Sequence, residues 1–264
     1  MRIARFTTGN DPRFGFVQTE NGKDFLAVLS GDPLYMPVKP TGERIEIGDG
    51  VRLLAPVIPR SKIIGVGRNY ADHAAEMGND VPANPLLFFK PNTSVIGPDD
   101  PIVLPDFTSE VSYESELAVV IGKVTKNVTP ESALKHVLGY TVANDVTARD
   151  AQRTDGQWAR AKGFDTSCPI GPWIVTDLET DELRVTSRVN GEDRQDGNTR
   201  DMVFDVAFLV SYISEAFTLL PGDIILTGTP AGVGPIVAGD RVECEVEGIG
   251  VLSNPVVRRS YDED

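Results

Sequence analysis

Short apolar runs separated by turn-forming residues dominate the first fifth of the chain, and the spacing of apolar positions changes further along. From Ile3 to about Leu54 the runs have strand length and are punctuated by Asn21-Gly22, Gly31-Asp32-Pro33 and Gly48-Asp49-Gly50, which are hairpin and turn signals. This predicts a small N-terminal β domain over residues 1–58, a linker marked by Pro56 and Pro59, and a larger domain over 59–264. Lys62 to Tyr70 reads as a strand running into a turn, Ala71 to Glu76 as a short helix, and Leu86 to Phe89 as a buried strand stopped by Pro91. Thr129-Pro130-Glu131 has the cap and first-turn pattern of a helix continuing towards Val137. Val203, Val206, Val210, Ile213 and Phe217 recur at helical spacing and predict an amphipathic helix from Asp201 to Thr218. Arg184 to Val189, Asp223 to Thr227 and Arg241 to Val246 read as strands. Strands outnumber helices, so the expected class is a β-rich α+β fold.

The bulk numbers narrow the function. The 264 residues carry a formal net charge of −14, which argues against nucleic-acid or anionic-membrane partners. No apolar run reaches membrane-spanning length and the N-terminus lacks a signal-peptide core, so a cytoplasmic protein acting on small molecules is expected. Cys168 and Cys244 match no metal spacing; burial is the better reading for both, although Cys168 before Pro169 has the chemistry of a nucleophile.

The candidate chemistry is acidic. Glu114 and Glu116 stand two residues apart in Tyr113-Glu114-Ser115-Glu116-Leu117-Ala118-Val119-Val120-Ile121, a strand-like stretch, so their carboxylates leave the same face. Asp145 ends another apolar run, and a third carboxylate from a neighbouring strand completes an oxygen pocket for a hard divalent cation. An ordinary half-solvated strand shows the same alternation, and spacing alone favours that reading. His73 and Glu76, three apart in a helical turn, share a face and can act as base and orienter, or as a plain surface pair. His136 has no acidic partner at helical spacing and is assigned to the surface. Gly65-Val66-Gly67-Arg68-Asn69-Tyr70 begins like a dinucleotide fingerprint, but Tyr70 replaces the third glycine. Gly228-Thr229-Pro230-Ala231-Gly232-Val233-Gly234 lacks a phosphate-loop ending, yet its backbone amides are suited to a ligand carboxylate.

Six motifs occur in order: Gly67-Arg68-Asn69-Tyr70-Ala71-Asp72-His73-Ala74-Ala75-Glu76, Phe89-Lys90-Pro91, Tyr113 to Gly122, Asn144-Asp145-Val146-Thr147-Ala148-Arg149-Asp150, Lys162-Gly163-Phe164-Asp165 and Leu226-Thr227-Gly228-Thr229-Pro230. Together they resemble the fumarylacetoacetate hydrolase family from about Lys62 to Val257. The resemblance implies a mixed β-sheet roll or sandwich with a few helices, and metal ligation by Glu114, Glu116 and Asp145, with Mg²⁺ as the expected ion and Mn²⁺ or Ca²⁺ possible. It further implies His73, Glu76 and Lys162 in catalysis and a homodimer; beside it, the charges of Lys90 and Arg149 and the place of Thr229 in the glycine-rich loop make these three the substrate-binding candidates.

The implied substrate is a small anionic 2-oxo acid. The first expectation is hydrolytic carbon–carbon cleavage of an acylpyruvate through a metal-stabilised pyruvate enolate, with the His73-Glu76 pair activating water. Isomerisation of a 2-hydroxy-diene dioate and decarboxylation of oxaloacetate use the same kind of site. The segment Asp150 to Arg160 is expected to cover the pocket and to select the substrate. A Ca²⁺-dependent binding module is the non-enzymatic alternative, which has no need of His73, Glu76 and Lys162 together.

Overall fold

A computed structural model describes residues 1–78 and 80–258 of the chain. Its largest sheet has twelve strands, and its centre is Ser115–Ile121, flanked antiparallel by Val137–Asn144 and Ile224–Leu226. All seven residues of Ser115–Ile121 are buried, so neither face of this strand meets water. The half-solvated reading of the acidic strand therefore fails, and its continuous apolar run reflects burial on both faces.

Beyond Ile224–Leu226 the sheet continues through Ile63–Gly67, which runs parallel to it, to Leu86–Lys90 at the edge. As an edge strand, Leu86–Lys90 is only partly buried, with Phe89 exposed; the sequence pattern overstated its burial. On the other side Cys168–Val175 leads to the N-terminal strands, because Arg2–Thr7 pairs with it in the register Arg2 to Val175 and Ile3 to Ile174. Ile3, Ala55 and Val57 join Ala118, Ile170 and Ile224 in one apolar cluster. A five-stranded sheet containing Arg184–Val189 and Arg241–Val246 packs its buried face into the main core, where Val185, Val242 and Val246 meet Leu117 and Val119.

The helices are few and short. Ala71–Glu76 and the strand Arg241–Val246 fall where the pattern places them. The helix expected from Thr129 towards Val137 is a single turn, Pro130–Ala133, tightened into a 3₁₀ turn at Leu134–His136 before a strand starts at Val137. The amphipathic helix is shorter than expected, Val206–Ala216, because the Asp205 carboxylate caps it by accepting from the Phe208 N–H at 2.7 Å. His136 is half-buried, not on the surface, with Nδ1 3.2 Å from Thr125 Oγ1. Among the described residues no helix is long and apolar enough to cross a membrane.

Candidate active site

The acidic cluster is a product of register. Ser115 pairs with Asn144 and Glu116 with Ala143, so one step further Glu114 stands opposite Asp145. Glu114 itself sits at a break between Val111–Tyr113, which belongs to a three-stranded sheet, and Ser115–Ile121. The single strand expected from Tyr113 to Ile121 is thus divided at the residue that carries the first carboxylate. The break is held by the Asp145 N–H donating to the Glu114 carbonyl at 2.9 Å and by Asn144 Oδ1 accepting from the Glu114 N–H at 2.9 Å.

Glu114, Glu116 and Asp145 are all buried and offer carboxylate oxygens within 4.8 Å of one another. Three buried cations surround them. Lys162 Nζ donates to Glu114 Oε2 and Asp145 Oδ2, both at 2.7 Å, Arg149 Nη2 lies 2.6 Å from Glu114 Oε1, and Lys90 Nζ donates to Asp145 Oδ1 at 2.6 Å. Lys90 also donates to the Lys162 carbonyl, tying the two lysines into one network. Lys90 and Arg149, expected to bind substrate, are therefore engaged with the protein's own acids, and Lys90 does not line the cavity at all. The apolar run before Lys90 implies that its charge needs a partner, but a partner 55 residues away leaves no local signal of which residue it is.

Glu116 differs from its neighbours. Among the described residues it forms no ion pair; its Oε2 accepts the Gly228 N–H at 2.8 Å. Burial, then the negative charges of Asp145 and Glu114, raise its pKa well above the carboxylate range, against the weaker pull of Lys162 and the Gly228 N–H. For Glu114 burial also acts upward, but the opposing charges of Lys162, Arg149 and His73 outweigh it and hold the group low. Lys162 is held above its ordinary value because Asp145 and Glu114 overcome the desolvation that would lower it. An all-oxygen donor set with one carboxylate short of positive charge fits a hard divalent cation, which would share Glu114 and Asp145 with Lys162.

These groups open on a cavity of about 300 Å³ lined by His73, Glu114, Glu116, Asp145, Arg149, Lys162 and Thr229 on its polar side. His73 Nδ1 lies 3.3 Å from Glu76 Oε2, and Glu76 is fixed in turn by the Gly232 N–H at 3.1 Å from Oε1. Within the glycine-rich loop the Gly228 and Gly232 amides are given to Glu116 and Glu76. Thr229 Oγ1 donates to the Ser115 carbonyl at 2.8 Å and accepts from Gln195 Nε2 at 2.6 Å, which positions the loop against the acidic strand. Cys168 and Cys244 are buried with thiols pushed up to about 12 by desolvation, which removes Cys168 as a nucleophile.

A second wall is formed by Arg68, Met77, Phe88, Gln152, Arg153 and Trp158, none of them singled out individually in the sequence; Phe88 borders the acidic cluster, with Lys162 Nζ 5.0 Å from its ring centroid. Phe88 and Trp158 meet edge-on at 5.6 Å. Their rings rest on Gly65 and Gly67, where an added Cβ would fall 2.1 Å from the Phe88 ring and 2.9 Å from the Trp158 ring. The paired glycines therefore serve aromatic packing, which a dinucleotide reading does not anticipate. The segment expected to cover the pocket forms the helices Arg149–Thr154 and Ala159–Lys162, and supplies Gln152, Arg153 and Trp158 to this wall.

A buried acid–base cluster at the mouth of a β-rich roll, with an oriented imidazole beside it, defines a small-molecule acid–base site. The family profile described as "Fumarylacetoacetate (FAA) hydrolase C-terminal" matches residues 62–257, and one described as "Rv2993c-like, N-terminal" matches residues 1–56. The chain belongs to the fumarylacetoacetate hydrolase family and is an enzyme of that family. It is 48% identical over 291 aligned residues to a mitochondrial protein of Xenopus laevis named oxaloacetate tautomerase fahd2, covering 97% of this chain and 90% of that one. A crystal structure of a 5-carboxymethyl-2-hydroxymuconate delta-isomerase from Mycobacterium smegmatis is 47% identical with a TM-score of 0.90, covering 98% of this chain and all (100%) of that one. A fumarylpyruvate hydrolase from Pseudomonas aeruginosa, solved with Mn²⁺ and pyruvate, is 36% identical with a TM-score of 0.72, covering 81% of this chain and 94% of that one.

Proposed function

We propose that this enzyme moves a proton next to the carbonyl of a small 2-oxo dicarboxylic acid, interconverting the enol and keto forms of oxaloacetate or a close analogue. The observation that carries the reading is His73, buried at the cavity wall and oriented by Glu76, beside a cluster where Lys162 donates two of its three N–H groups to Glu114 and Asp145 and stands 5.0 Å from the Phe88 ring centroid in the cavity lining. In the ketonisation direction the enol O–H proton leaves and a proton is added at C3; the reverse removes it. His73 carries this proton, and the remaining Lys162 N–H stabilises the enolate oxygen as charge develops there. Glu114, Glu116 and Asp145 are the residues that would hold Mg²⁺ or Mn²⁺, which when bound polarises the substrate's oxygens as a Lewis acid. Relatives that match across the N-terminal segment include proteins with tautomerase and isomerase names at 48% and 47% identity and a fumarylacetoacetate hydrolase from Exiguobacterium antarcticum at 39%, and the higher identities support proton transfer ahead of the cleavage expected from the sequence motifs.

Hydrolysis of an acylpyruvate is the second reading, favoured by the same His73–Glu76 pair, since an oriented imidazole also activates water. The deciding experiment follows the enol absorbance of oxaloacetate with and without Mg²⁺ or Mn²⁺, alongside pyruvate release from acylpyruvates. Metal-dependent acceleration of enol decay, without pyruvate from acylpyruvates, is the expected result. Pyruvate release with no effect on enol decay reverses the order of the two readings.

A further inference from the structure

Four cationic side chains other than histidine line the cavity, and three of them are committed. Arg149 and Lys162 are paired with the acidic cluster, and Arg153 holds Glu110 in an exposed ion pair. Arg68 is different: among the described residues no hydrogen bond, ion pair or ring contact engages its guanidinium, although the residue is half-buried in a protein of net charge −14.

The backbone at Arg68 is also unusual. Its φ of +59° lies in the left-handed region, which ordinary side chains rarely adopt and which glycine takes freely. The conformation is imposed by its neighbours. Asn69 Nδ2 donates to the carbonyls of Thr227 and Phe204 at 2.7 and 3.0 Å, and Asn69 Oδ1 accepts from the Phe204 N–H at 2.9 Å. On the other side Gly67 is pressed against Trp158. Arg68 thus projects from a locked turn at the end of Ile63–Gly67 and lines the same cavity as the acidic cluster. A guanidinium placed there has the geometry and charge for a carboxylate, and the ligand must supply that carboxylate.

We infer that Arg68 is a specificity-determining residue that receives the second carboxylate of the substrate, the one distant from the 2-oxo acid head, and so selects dicarboxylates over monocarboxylates. The inference rests on the proposed 2-oxo acid reading and names the subsite it leaves open. The 2-oxo acid head goes to the Glu114–Glu116–Asp145 side, and the span of the cavity between that side and Arg68 sets the length of substrate accepted.

The test compares two unreactive probes that differ only in the distant carboxylate, malate and lactate, by calorimetric titration in saturating Mg²⁺. The wild type is expected to bind malate at least about tenfold more tightly than lactate. Arg68→Gly is expected to bring that ratio close to one by weakening malate alone, and Arg68→Lys to restore part of it. The melting temperature of Arg68→Gly should be unchanged or higher, because glycine takes the left-handed φ without steric cost. A wild type that binds malate no better than lactate, or an Arg68→Gly protein that loses both probes equally, overturns the assignment. Absence of oxaloacetate turnover by the wild type, with the probe ratio and its Arg68 dependence intact, counts against the tautomerase reading alone.

Discussion

Lys90 Nζ lies 2.6 Å from Asp145 Oδ1, and both side chains are essentially sealed from solvent. A buried ammonium and carboxylate in this arrangement are costly to separate, because removing Lys90 leaves Asp145 Oδ1 and the Lys162 carbonyl without their donor in a medium of low dielectric, with Lys162 as the remaining cation on Asp145. Lys90→Met is expected to destabilise the protein by about 3–5 kcal/mol and to lower its melting temperature by about 6–15 °C. A shift under 2 °C in differential scanning calorimetry would show that Asp145 does not depend on this partner.

Glu116 is crowded by Asp145 and Glu114 without an ion pair of its own. Glu116→Gln replaces a carboxyl whose charged form burial, Asp145 and Glu114 disfavour with a neutral isostere, so the metal-free protein should melt no lower than wild type. The wild type should gain about 2.7 kcal/mol at a Mg²⁺ or Mn²⁺ concentration one hundred times its dissociation constant, and the variant much less. Equal metal-induced shifts in the two proteins would exclude Glu116 from the ligand set.

Glu76 touches the cavity only through His73, so its role is to orient the imidazole. Glu76→Gln is expected to lower kcat by about ten- to a hundredfold while leaving KM within about twofold, with little change in melting temperature because the side chain is about one-third exposed (35%). A rise in KM with kcat preserved would instead make Glu76 part of substrate binding.

Asp150 anchors the start of the Arg149–Thr154 helix. Its Oδ1 accepts from the Thr108 hydroxyl and the Ala151 N–H, and its Oδ2 from the Ser109 N–H at 3.0 Å. Led by the Thr108 hydrogen bond, these donors lower its pKa from 3.8 to about 2. A folded-state pKa below the unfolded one gives stability that is present above pH 3.8 and lost as pH falls through about 2. Because Asp150 is only half-buried, the contribution is small. Asp150→Asn should therefore flatten the acid limb of an unfolding-versus-pH curve in that window and leave the curve above pH 5 nearly parallel to wild type, about one pH unit clear of the transition.

Asn69 is fully buried and bonds three backbone groups on two separate loops. Asn69→Ala strands those groups and should cost about 2–4 kcal/mol in urea denaturation. It should also release the Arg68 turn, so that the malate-to-lactate preference falls along with stability. Full stability in the variant would mean that the Phe204 and Thr227 segments hold themselves in place.

Much of this architecture is legible from local pattern. The short helix Ala71–Glu76 places His73 and Glu76 on one face by its period, and the ordered motifs carry the family. Glu114 and Glu116 point together because strand residues two apart share a face. These are short-range consequences of backbone geometry, and neighbouring residues are enough to dictate them.

Tertiary structure decided the rest. Whether the acidic strand faces water or core depends on the sheets packed around Ser115–Ile121, which no window of that strand contains. The antiparallel register with Val137–Asn144 is what sets Glu114 against Asp145. Long-range pairing engaged Lys90 and Arg149 in the acidic cluster, turned the Gly228 and Gly232 amides towards Glu116 and Glu76, and left Arg68 at the cavity without a partner among the described residues. Charge balance in a buried site is settled among residues brought together from distant parts of the chain, so sequence names the charged groups and only the fold determines which of them remains for a ligand.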